Sequence, residues 1–177
     1  MTRKTKIVLI VLSVMAVMAG VGGFVFGRYW IDNKVPNFTE EYVLYVYPET
    51  TVAQVEDSLA LRAGTIRPKS LERALKKMEA SERMQPGRYV IDASVPSIYV
   101  ARMLVFGWQT PQMMTLSGTI RTKEKIAQKI GLQMMVDSAA VADALYDKEF
   151  LAEYGCTPDN VFTMILPDTY EMYWTAS

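Results

Sequence analysis

The chain opens with an unbroken apolar block and then settles into short alternating segments. Residues 7–26 (IVLIVLSVMAVMAGVGGFVF) are twenty positions without a charge, and Ser13 is their only polar side chain. At about 1.5 Å rise per residue, such a helix reaches roughly 30 Å, the thickness of a bilayer's hydrocarbon core. A helix closes its backbone hydrogen bonds on itself, so it is the one simple structure a lone segment can adopt there. Residues 27–41, with Pro36 and mixed charges, read as a tether. Residues 42–47 (YVLYVY) are aromatic and β-branched, which predicts a strand. Its alternation puts Val43, Tyr45 and Tyr47 on one face and Tyr42, Leu44 and Val46 on the other. Thr51 and Gln54 have capping-box spacing before a helix that aligns Val52, Val55 and Leu59, with Gly64 as its stop. A second helix opens at Pro68 or Ser70 and aligns Leu71, Ala74, Leu75 and Met78, with Glu72, Arg73, Lys76 and Lys77 on its other side. Pro86-Gly87 is a turn, and residues 88–91 (RYVI) a second strand. The unit is strand, helix, helix, strand, an α+β arrangement with antiparallel strands and both helices on one face.

The pattern continues with a third helix from Ser94-Val95-Pro96 to about Val105, stopped by Gly107. A connector over residues 108–111 leads to a strand over 112–116 and a turn at Ser117-Gly118. Thr122 caps a helix carrying Ile126 and Ile130, Asp137 caps another through Leu145, and Asp147 a further one ending at Gly155. Residues 157–160 read as a loop, and 161–166 (VFTMIL) as an apolar run of strand length. Pro167-Asp168-Thr169 reads as a turn or as a cleft lining, with Asp168 able to cap a helix from Thr169.

Charge adds a direction to the first block. Arg3, Lys4 and Lys6 precede it with no acid among them, which favours a cytoplasmic N-terminus, and Tyr29 and Trp30 follow it where aromatic rings prefer the membrane interface. The body is then expected outside the cytoplasm. A cleaved signal peptide is the alternative; Val17-Met18-Ala19 is a weak cleavage site, and the apolar run continues past it. Without Arg3, Lys4, Lys6 and Arg28, 15 basic residues face 19 acidic ones, a net of −4. That balance argues against nucleic acid as a partner. The single cysteine, Cys156, excludes an intrachain disulfide, and the absence of histidine removes the usual zinc and copper ligand sets and any histidine-based triad.

Tyr170, Met172, Tyr173 and Trp174 crowd the last residues, and each large ring gains much by burial. This implies either that their partner surface lies in further sequence or that the cluster docks back onto the strand–helix unit.

The order of features resembles a family. A basic tail (residues 1–6) and an apolar span precede residues 44–51 (LYVYPETT) and 86–91 (PGRYVI), then 120–127 (IRTKEKIA) and 166–170 (LPDTY). This order is similar to the MltG (YceG-like) family of membrane-anchored endolytic murein transglycosylases, and most resembles its Bacteroidetes-type branch, where V-F-T-M precedes P-[DN]-T-Y. The resemblance implies a LysM-like module, which with the following helix covers residues 42–107, then the N-terminal part of a mixed α+β catalytic domain over 112–177. It implies an inner-membrane protein whose partners are the bilayer, peptidoglycan glycan strands and cell-wall synthesis proteins. The implied reaction protonates the oxygen between N-acetylmuramic acid and N-acetylglucosamine. The muramoyl C6 hydroxyl, deprotonated by the same glutamate, then closes a 1,6-anhydro ring. That chemistry requires neither metal nor organic cofactor.

The chain departs from the family at Phe162, Thr163 and Met164, where many members carry E-G-W. The A-S-I-[IV]-E segment that holds the family's acid–base glutamate has no counterpart up to Ser177. No catalytic residue is therefore assigned, and the 177 residues are expected to be inactive alone, as the first half of such an enzyme. The substrate-binding candidates are Asp168, Thr169, Tyr170, Tyr173 and Trp174, each with a structural alternative: turn or cap for Asp168, core for the rings, and solvent exposure for the neighbouring Glu171. Tyr45 and Tyr47 are a further surface on which glycan could rest. The competing reading is a non-catalytic anchored module that binds glycan or a wall-synthesis partner. A pyridoxal-phosphate aminodeoxychorismate lyase is rejected, because the anchor places the body away from a cytosolic substrate.

Overall fold

The computed structural model describes residues 3–118 and 120–176, and no side chains before Ile10. Met1 and Thr2 of the expected basic tail, the side chains of Arg3, Lys4 and Lys6, and Ser177 lie outside it. The architecture is mixed α and β. Helix α1 (Arg3–Lys34) contains one stretch long and apolar enough to cross a membrane, as a single-pass anchor or a signal sequence would be. Its side chains from Ile10 to Phe26 are exposed, as a lipid-facing helix requires.

The stretch expected as a tether is different. The helix runs on through Lys34, because Arg28, Asp32, Asn33 and Lys34 are tolerated in a helix, and it ends one residue before Val35-Pro36. Asn37 and Phe38 are then buried in the body rather than left in solvent. Asn37 Oδ1 accepts from the Arg67 N–H at 2.7 Å, and its Nδ2 donates to Ser97 Oγ at 2.8 Å. Ser97 Oγ donates to Ser70 Oγ at 3.0 Å, and Ser70 Oγ to Asp32 Oδ1 at 2.6 Å. Arg73 Nε completes the chain of contacts with a 2.9 Å bond to Asp32 Oδ2. A buried polar network of this kind is costly unless satisfied; the side chains of Asn37, Ser97, Ser70, Asp32 and Arg73 each have a partner, so α1 is fixed to the body.

The body begins with β1 (Tyr42–Val46), followed by α2 (Val52–Arg62), α3 (Pro68–Lys77), the short α4 (Ala80–Arg83) and β2 (Gly87–Ile91). β1 and β2 pair antiparallel, Tyr42 opposite Ile91 and Val46 opposite Gly87. The Thr51–Gln54 capping box starts α2. The unexpected α4 follows Glu79, whose left-handed backbone (φ 55°) ends the reach of α3 at Lys77. Helix α5 (Ser97–Phe106) ends at Gly107, a left-handed position (φ 64°) that suits glycine. One core fills the space between the sheet's buried face and the helices, centred on Val55, Leu59, Tyr89, Ile91, Val100 and Leu104.

The second half carries β3 (Gln112–Leu116), α6 (Lys123–Gly131), α7 (Ser138–Tyr146), α8 (Lys148–Glu153) and β4 (Asp168–Met172). Thr122, Asp137 and Asp147 cap the three helices as their positions predict. Two expectations fail here. Residues 161–166 form no strand: Val161–Thr163 is a single 3-10 turn. Asn160 O accepts both the N–H and the hydroxyl of Thr163, at 2.9 and 2.7 Å, which closes the backbone locally. Asp168 caps no helix. It begins β4, which pairs antiparallel with β3, Leu116 opposite Asp168 and Gln112 opposite Met172. Thr169, Tyr170 and Met172 suit a pleated strand, and β3 offers a free edge to pair with.

Candidate functional site: an aromatic cleft between the two halves

β1 buries Leu44 and Val46 in the core and turns its two-tyrosine face outward, Tyr45 42% and Tyr47 46% exposed. Trp174, just past β4, lies edge-on against both rings, at 5.0 Å and 69° to Tyr45 and 4.9 Å and 85° to Tyr47. Edge-to-face geometry of this kind is the favoured aromatic contact. Trp174 is thereby 5% exposed, and its carbonyl accepts the Met135 N–H at 2.9 Å. The Gln109 amide donates to Thr175 Oγ1 at 3.0 Å beside it. The connector itself lies along β2: the Thr110 N–H donates to Arg88 O at 2.8 Å, and Arg88 donates to Pro111 O at 3.0 Å. Gly87 permits this approach, since a Cβ there would meet the Gln109 side chain at 2.5 Å.

The docked tryptophan brings the start of α7 beside the end of β1 and leaves a cleft of about 440 Å³. Tyr47, Gln128, Met134, Met135, Asp137 and Ser138 are among its walls. Gln128 is held by Lys125, whose Nζ donates to Gln128 Oε1 at 3.1 Å. Asp137 Oδ1 accepts the Ala139 N–H at 3.3 Å as the α7 cap. The cleft is open and two-natured: an aromatic ring and thioethers line it together with an amide, a carboxylate and a hydroxyl. Among its described lining residues Asp137 is the one carboxylate. Among the described residues no cluster of three or more potential metal ligands occurs. Away from the cleft, the Tyr146 hydroxyl donates to Glu124 Oε1 at 2.5 Å; this bond holds the Glu124 carboxyl below its ordinary pKa and raises that of Tyr146.

The sequence candidates do not converge. Asp168 and Tyr170 share one face of β4, and Tyr170 packs on the small core of Met114, Leu116 and Met134. Thr169 lies on the opposite face, where its hydroxyl meets that of Thr115 at 3.0 Å, and Glu171 shares that face. Tyr173 is 54% exposed. None of the five lines the cleft; Trp174 touches two of its walls, Tyr47 through its ring and Met135 through its carbonyl. Gln128, Asp137 and Ser138 were not expected: the first sits on the polar side of α6, and Asp137 was legible only as a cap.

No family model matches the chain, and no curated protein matches it. Among solved structures it is similar to a YceG-like protein from Listeria monocytogenes, with 16% sequence identity and a TM-score of 0.45 over 75% of this chain and 48% of that one. The chain thus spans about half the length of that protein.

Proposed function

We propose that this chain is a membrane-anchored, glycan-holding protein of the bacterial cell wall, of the MltG (YceG-like) kind. The observation that carries the reading is the Tyr47–Gln128–Asp137–Ser138 cleft. An aromatic ring accepts the C–H face of a pyranose, while an amide, a carboxylate and a hydroxyl satisfy its hydroxyl groups, the mixture a sugar requires. The motif order through residues 166–170 and the N-terminal apolar helix support the same reading. So does the strand–helix–helix–strand order of residues 42–91, which is that of a LysM-like module. The glycan strand is peptidoglycan, the body faces the periplasm, and the family's reaction leaves 1,6-anhydro-muramoyl ends.

Within these residues the part played is binding. Among its described lining residues the cleft offers one carboxylate, Asp137, whose Oδ1 serves as the α7 cap. The non-catalytic reading describes these 177 residues better, and the lytic reaction belongs to the family's glutamate.

Cosedimentation with purified sacculi tests the binding. The chain in detergent micelles is expected to pellet with sacculi, and a Gln128→Ala/Asp137→Asn variant, which keeps a capping side chain on α7, to lose most of that retention while its thermal transition is kept. Equal retention of the two proteins would sink the cleft assignment. A chain that also carries the family's A-S-I-[IV]-E segment is expected to release 1,6-anhydro-ended glycan from the same sacculi; reducing ends would exclude the lyase reaction.

A further inference from the structure

Helix α3 lies antiparallel to the end of α1. Lys77 meets Tyr29, Ser70 and Arg73 meet Asp32, and Arg67 donates to the carbonyl of Pro36. The C-terminal end of α3 therefore points back along α1 toward the apolar span. With the span ending at Phe26, Tyr29 lies about 4.5 Å and Asp32 about 9 Å further along the helix axis. The headgroup layer occupies roughly 5–8 Å beyond each side of the hydrocarbon core. Lys76 and Lys77 are thus held at headgroup height, whereas Lys69, at the other end of α3, is about 12 Å further out.

A cavity of about 370 Å³ opens there, lined by Tyr29, Asp32, Asn33, Arg73, Lys76 and Lys77 among others. The Asp32 carboxylate in it is already engaged by Arg73 and Ser70. The Lys77 ammonium lies 5.5 Å from the Tyr29 ring. Among the described residues neither Lys76 nor Lys77 has an acidic partner within ion-pair distance. Two uncompensated ammonium groups, fixed beside an interfacial tyrosine by the Asp32 lock, complement an anion at membrane depth. We propose that this seam between α1 and α3 binds the phosphate of an anionic phospholipid headgroup through Lys76 and Lys77. The proposal rests on α1 crossing the bilayer.

The test uses the full chain in nanodiscs of equal phosphatidylglycerol and phosphatidylcholine, with the lipids that remain bound counted by native mass spectrometry. The wild-type chain is expected to keep phosphatidylglycerol several-fold over phosphatidylcholine. A Lys76→Glu/Lys77→Glu variant is expected to lose that preference, a Lys76→Arg/Lys77→Arg variant to keep it, and Lys69→Glu to leave it unchanged. Equal retention of both lipids by the wild type overturns the proposal, as does an equal loss in Lys69→Glu. Displacement of the lipid by excess inorganic phosphate also overturns it, since the site would then take a free anion. Alkaline carbonate extraction of the chain from membranes separately tests the spanning helix: a soluble chain would remove that premise, while a retained chain without lipid preference would fail the headgroup site alone.

Discussion

The two halves of the body use the same sheet, a pair of antiparallel five-residue strands, and treat it in opposite ways. In the first half, β1 and β2 bury one face under α2, α3 and α5, and Trp174 covers the tyrosines of the other. In the second, β3 and β4 bury only Met114 and Leu116 beneath a thin layer with Met134, and Met113 remains exposed on the opposite face. A second small cluster, Leu151 with Cys156 and Val161, is separate. A two-stranded sheet is marginal without packing. The first half is held by one larger core, whereas the second adds a thin core and the contacts of Trp174 with the first. The cleft lies beside those contacts, which is where a binding site gains from adjustable walls.

The contrast can be broken most forcefully at the cores. Leu59→Ala removes a fully buried side chain from the larger core and is expected to lower stability by about 3–4 kcal/mol. Met114→Ala, in the thin core, is expected to cost about 1–2 kcal/mol, since a flexible side chain with few neighbours leaves a site that collapses. Denaturant unfolding of both variants checks the order; equal losses would show that the second core carries more than its size suggests.

Alkaline pH probes the first half specifically. Tyr89 is fully buried and its hydroxyl donates to Gln85 O at 2.8 Å. Burial pushes its pKa from 10.0 up to about 12. The folded state thus holds the proton more tightly than the unfolded one, and this stability is complete below pH 10 and lost as pH rises toward about 12. Thermal melts across that window should show a falling transition that is shallower in Tyr89→Phe. An identical slope would remove Tyr89 as the cause. The smallest effect is expected at the α2 cap: Thr51→Ala loses the bond to the Gln54 N–H and should cost about 1 kcal/mol.

Local structure was legible in the sequence wherever a short-range rule acts. The Thr51–Gln54 box, the caps at Thr122, Asp137 and Asp147, and the stop at Gly107 each depend on a few neighbouring residues. What failed depends on distance. Strand propensity favoured residues 161–166, but β3 pairs with Asp168–Met172 across more than fifty residues of chain, a choice that periodicity cannot see. The tether was misread for a similar reason: Asp32 and Asn37 look like linker residues until Ser70, Arg73 and Ser97 supply partners. Of the site, the outward tyrosines followed from β1's alternation and the docking of the aromatic tail was one of two expectations. The polar wall was invisible, because Gln128 and Asp137 line one cleft with Tyr47 although they lie far from it along the chain.

Trp174→Ala probes the docking of the aromatic tail through sacculus binding paired with hydrogen exchange. The prediction is a large drop in retention on sacculi and faster exchange at Gln112–Leu116 and Asp168–Met172, while Tyr42–Val46 and Gly87–Ile91 stay as protected as in the wild type. Unchanged retention with unchanged exchange in the second half would contradict the account.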